Sequence, residues 1–154
     1  MKKGIIITVV LIAAITAGYY LVKQSPSETD VSPQTELLNK KVDEAVLIIQ
    51  SAEGAPMQGI AILREVLNED PNHVKANYWM GEFSWISGQF DKAVPRFEKV
   101  LEIEPNNAEA AKRLVAVFIQ LKENEKAKGV ADTFADNNPN HEANAEMNNM
   151  LNNI

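Results

Sequence analysis

The stretch Glu69-Asp70-Pro71-Asn72-His73, EDPNH, has the composition of a loop, and its Pro-Asn pair comes back at Pro105-Asn106 within EIEPNN and at Pro139-Asn140 within DNNPNH. The three pairs are evenly spaced along the chain. A fixed period of this size is the mark of stacked repeats. Ending each unit two positions after its proline divides the chain, without insertion or deletion, into 40–73, 74–107 and 108–141. Every unit then contains a helical pattern, a short break and a second helical pattern in the same order.

Unit 74–107 shows the pattern most clearly. Lys75 to Ile86 reads as an amphipathic helix, Ser87-Gly88-Gln89-Phe90 as the turn, Asp91 to Ile103 as the second helix and Glu104-Pro105-Asn106-Asn107 as the exit loop. Proline stops the helix there, because it lacks an N–H and restricts the residue before it. Small residues recur with the same period at Gly59, Ala93 and Ala127, where two helices must approach closely, and large ones at Leu63 and Phe97, although Ala131 breaks that series. Unit 40–73 has Leu47 where the middle unit has Gly81, and Pro56 suits the first position of its second helix. Pro95, early in a helix, predicts a small local distortion rather than a break.

With the period, Gly81, Gly88, Phe90, Ala93, Phe97 and EIEPNN in place, the chain resembles the tetratricopeptide repeat family from 40 to 141, most closely in the middle unit. The resemblance implies an all-α fold, a right-handed superhelical stack of helix-turn-helix repeats (an α-solenoid). It implies little about a specific activity, because this architecture hosts many unrelated partners.

Before the repeats stands Met1-Lys2-Lys3, a basic N-terminus, followed by the uncharged run GIIITVVLIAAITAGYYLV at 4–22. Nineteen residues of helix cover roughly 28 Å, close to the hydrocarbon core of a bilayer of about 30 Å, so the run is expected to be a transmembrane helix. Tyr19 and Tyr20 stand where an interfacial belt forms, and Lys2 and Lys3 favour a cytoplasmic N-terminus. The competing reading is a cleaved signal peptide, for which Thr16-Ala17-Gly18 supplies small residues, although the apolar run exceeds a usual one of about 7 to 15 residues. Residues 23–36 read as a flexible linker, rich in Ser, Thr and Pro, and 37–154 as the repeat domain. Residues 142–154 close it as a capping helix, with Ala143, Met147, Met150, Leu151 and Ile154 on one face and asparagines on the other.

Composition excludes several functions. The chain has no cysteine, hence no disulfide framework, thiolate metal site or cysteine nucleophile. Beyond Lys23 it keeps 12 of its 15 basic residues and all 21 acidic ones, a net charge of −9 that disfavours binding to nucleic acid. His73 and His141 share one loop position and read as solvent-facing, and Glu102 with Glu104 reads as a solvated helix end. With no glycine-rich phosphate loop and no cluster of metal-ligating residues in the sequence, the chain is expected to have no enzymatic activity, no catalytic residue, no metal and no cofactor.

The remaining surface is the first helix of each unit. On a wheel of 100° per residue, positions 2, 5, 9, 12 and 13 fall together, opposite 4, 7, 8 and 11. The resemblance implies that this face lines a concave groove for a peptide or partner helix. The face carries Lys41, Glu44 and Ile48, then Lys75, Tyr78, Glu82, Trp85 and Ile86, then Lys112 and Ile119. For Trp85 and Ile119 a place in the core is the open alternative, and Trp79 reads as packing. A carboxylate clamp for a chaperone tail needs Lys and Asn at positions five and nine, where only Lys112 fits among Glu44, Ile48, Tyr78, Glu82, Lys112 and Ala116.

The expected function is that of a membrane-anchored adaptor or scaffold whose groove binds a protein or peptide partner in the cell envelope. Its expected place is a bacterial inner membrane, single-pass through 4–22, with the repeats on the periplasmic side. Two alternatives stand beside it. One is an assembly factor of the cytochrome c maturation type that presents an unfolded substrate; the other is a self-associating homo-oligomer.

Overall fold

The computed structural model describes residues 32–51 and 56–153, so the expected span at 4–22 and most of the linker lie outside the described residues. Among the described residues all regular structure is helical, and no helix is long and apolar enough to cross a membrane. The helices are α1 (Pro33–Gln50), α2 (Pro56–Glu69), α3 (Val74–Ile86), α4 (Phe90–Ile103), α5 (Ala108–Gln120), α6 (Asn124–Asn137) and α7 (Ala143–Asn152). Residues Leu37–Ile154 form one compact unit.

Local chemistry explains the ends. α1 begins inside the stretch read as linker, because Pro33 fits the first helical position and Ser32 Oγ accepts the Thr35 N–H at 3.1 Å. α3 and α5 start at caps that occupy the same position in successive repeats: His73 Nδ1 accepts the Ala76 N–H at 3.2 Å, and Asn107 Oδ1 accepts that of Ala110 at 3.0 Å. At the other end of α3, Gly88 takes φ +72° and lets Gln89 N–H donate back to the Ser84 carbonyl at 2.8 Å. Lys122 does the same after α5 with φ +61°, a left-handed conformation that costs a side-chain-bearing residue about 1 kcal/mol. α4 runs through the exposed Pro95 without ending.

Packing follows the period. Gly59 lies so close to α1 that a Cβ there would stand 2.5 Å from the Ala45 carbonyl oxygen. Gly81 seats the Phe97 ring, whose carbons would lie 2.8 Å from a Cβ. Two apolar clusters result: Leu38, Val42, Ala45, Leu63 and Val66 pack between α1 and α2, while Phe97, Val100, Leu114, Val117, Phe118, Phe134 and Met147 join α4 to α7. α3 belongs to both. Its sequence, VKANYWMGEFSWI, is apolar on all sides, which is what a helix with neighbours on both flanks requires. Ala76, Trp79 and Met80 meet the first cluster, and Tyr78 and Trp85 the second.

Candidate functional site

On the first-helix face most of the charges turn toward the protein itself. Lys41 Nζ lies 2.7 Å from Glu69 Oε1, and Lys75 Nζ 2.5 Å from Asp43 Oδ1. Glu82 is buried rather than presented to a groove: Arg113 of the next first helix pairs with it. Burial, and then the Glu82 charge, push the Tyr78 hydroxyl above its ordinary value. Lys112 Nζ bridges Glu109 at 2.7 Å and Glu146 of α7 at 3.0 Å. Three of these pairs, Asp43 with Lys75, Glu82 with Arg113 and Lys112 with Glu146, join each first helix to the one that follows it in the stack, so the charges hold neighbouring repeats in register. The two more exposed pairs, Asp43 with Lys75 and Lys112 with Glu146, contribute roughly 0–1 kcal/mol each, and their value lies in specifying that register.

The aromatic residues of the face are also engaged. Tyr78 packs edge-on against Phe97 and Trp79, both at 5.8 Å between ring centres, and Trp85 rests on Phe90 at 5.1 Å. Tyr78, Trp79 and Trp85, like Ile119, are half-buried. What this face leaves to solvent is Glu44 and Ile86, the latter 75% exposed, with Ile48 partly so.

An apolar cleft lies elsewhere, between the second helices α4 and α6. It offers about 430 Å³, walled by Leu101, Pro105, Val130 and Phe134 and floored by Ala111 and Phe118 of α5. Glu98 and Asn137 stand at its edge with Lys126, which lies 5.5 Å over the Phe118 ring. Gly129 lines it, and a Cβ added there would meet nothing within 4 Å. No steric demand therefore accounts for glycine in mid-helix, where it costs about 1 kcal/mol relative to alanine. Its effect is to leave the cleft open. The sequence carries one signal of this, Gly129 where the other units have Ala61 and Pro95, but the wheel of the first helices does not include it.

The two loop histidines differ. His141 is exposed, as expected, beside the Phe134 ring. His73 is not: it is 5% exposed, and burial pulls its imidazole below the ordinary histidine range, with Asp70 opposing and Lys75 adding to the effect. Next to it Asn77, 1% exposed, donates to the Pro71 and His73 carbonyls at 2.9 and 3.1 Å and accepts from Arg96 at 3.0 Å. Its amide nitrogen thus locks the turn between α2 and α3 and its oxygen ties α3 to Arg96 of α4, so this cluster is structural. Among the described residues no group of three or more acidic or histidine side chains is placed to hold a metal ion.

Residues 84–149 match the family profile described as tetratricopeptide repeat. Among curated proteins, the CTR9 homologue of Arabidopsis thaliana is 36% identical over 75 residues, 49% of this chain and 7% of that protein. FK506-binding protein 59 of Drosophila melanogaster is 36% identical over 72 residues, 46% of this chain and 16% of the other. The chain thus spans a small part of the curated relatives it matches. Among solved structures, MamA AMB-1 superposes with a TM-score of 0.59 at 21% identity, over 92% of this chain and 78% of that one. MamA from Desulfovibrio magneticus RS-1 does so with 0.54 at 24%, over 70% and 58%. At these identities the likeness is one of fold.

Proposed function

We propose that this chain, whose residues 84–149 match the tetratricopeptide repeat family, works as a protein-binding scaffold, and that the α4–α6 cleft seats an apolar-anchored segment of its partner. The observation that carries this reading is Gly129, a helix-weakening residue with no packing reason, lining an open apolar cleft of about 430 Å³. The cleft takes two or three aliphatic or aromatic side chains, as grooves for short helices do. Glu98 and Lys126 at its edge set orientation. The charges of the first-helix face are mostly committed to neighbouring repeats, so binding driven there by charge has little to use. In this reading residues 4–22 anchor the scaffold in a bacterial inner membrane with the repeats outside the cytoplasm. Confinement to the membrane then raises effective concentration, so that a modest affinity suffices.

The test is crosslinked capture of the full-length protein from native membranes, comparing wild type with Gly129→Leu, which plugs the cleft, and Ile86→Asp, which charges the first-helix face. Circular dichroism serves as the check on folding. Loss of a wild-type partner in Gly129→Leu alone supports the cleft. Loss in Ile86→Asp alone moves the site to the first-helix face, and equal recovery from all three rejects both.

A further inference from the structure

The outer side of α1 carries a second surface, unrelated to the cleft. Leu38, Val42 and Ala45 turn inward and are buried, while Leu37 is 56% exposed and Leu47 69%. Lys40 and Glu44, also exposed, stand between the two leucines. The positions 37, 40, 44 and 47 advance by three, four and three, the spacing of a single seam along a helix of the kind that packs against another helix. Leucines this exposed at both ends of a seam offer apolar anchors, and the order Leu-Lys-Glu-Leu points to the partner that fits them.

Set two copies of this seam antiparallel about a twofold axis level with Val42. Position 37 then faces 47 of the other copy, and 40 faces 44. Leucine meets leucine and lysine meets glutamate, each twice, as an isologous interface requires. A parallel pairing stacks lysine on lysine and glutamate on glutamate. At the far end α7 turns the exposed amides Asn148, Asn149 and Asn152 outward, and no leucine there is fully exposed among the described residues. We propose that the outer face of α1 is a self-recognition surface, on which two copies of this chain pair antiparallel with Leu37 on Leu47 and Lys40 on Glu44.

The chain has no cysteine, so introduced thiols have only each other to meet. Within one chain, positions 37 and 47 are about 15 Å apart along the helix, whereas a disulfide joins Cα atoms roughly 4.4 to 6.8 Å apart. Any 37–47 bridge is therefore between chains. Differently tagged full-length Leu37→Cys and Leu47→Cys proteins are mixed in detergent micelles, allowed to exchange and mildly oxidised. The expected product is the mixed dimer, in excess over random pairing. Lys40→Glu alone or Glu44→Lys alone abolishes it, and the double exchange Lys40→Glu/Glu44→Lys, made in both chains, restores it. Bridges formed mainly between like positions, random pairing, no bridging, or bridging indifferent to the charge reversals overturns the proposal. So does capture from membranes in which the thiols bridge to a different protein instead of a second copy.

Discussion

Gly81 and Gly129 both interrupt the middle of a helix, and they do opposite things. At Gly81 the missing side chain is replaced by the Phe97 ring, which fills the crossing of α3 with α4 and lies fully buried. At Gly129 nothing takes its place, and the seam between α4 and α6 stays open. Since the intrinsic cost of glycine in a helix is the same at both, the difference is what the fold returns for it: a closed helix crossing in one case and an accessible apolar surface in the other. Glycine in a repeat therefore cannot be read as core or as site from its helix alone.

The largest expected effect comes from emptying the closed crossing. Phe97→Ala should lower stability by about 3–5 kcal/mol, read as a shift of the urea midpoint of the full-length chain in detergent. Gly81→Ala should cost about 1–3 kcal/mol, because the added methyl meets a ring with no free volume behind it. A Gly81→Ala/Phe97→Leu double variant tests that account, since the two losses share one space and should fall short of their sum. The same substitution at Gly129 should have the other sign. Gly129→Ala should stabilise by up to about 1 kcal/mol; a loss instead would mean that the cleft is closed in solution. The smallest effect concerns His73. Its folded-state pKa is depressed by burial, so the neutral form is the one the native state prefers. Stability from this group is present above the unfolded value of about 6.5 and is lost as pH falls through the folded one. Protonation also turns Nδ1 from acceptor to donor, removing the cap on Ala76. His73→Asn, which installs the cap already used at Asn107, should flatten the acid limb of a midpoint-against-pH curve without moving its neutral plateau.

Much of this was readable in one dimension. The evenly spaced prolines, the small residues at Gly59, Ala93 and Ala127 and the apolar faces all reflect requirements local to a helix pair, and each leaves its trace at a fixed offset. Arg113 was not readable from its own helix. It acts on Glu82 of the preceding repeat, and turns what looks like a groove-lining carboxylate into a buried joint between repeats. The signal was available as opposite charges separated by nearly a full repeat, Asp43 with Lys75 and Lys112 with Glu146 being the others, but a single-helix wheel cannot show it. His73 and His141 occupy one position in the repeat and differ in burial, since burial depends on which neighbours the stack supplies at each junction.

The sequence by itself determined that this protein is a stack of helix pairs, because helix periodicity, proline stops and small crossing residues act over short stretches and repeat with the unit. Only the tertiary structure decided which surfaces remain for a partner. That choice depends on sums over side chains from three or more helices: the salt bridges that occupy the first-helix face, the Phe97 ring that fills one glycine notch, and the lack of any side chain to fill the other.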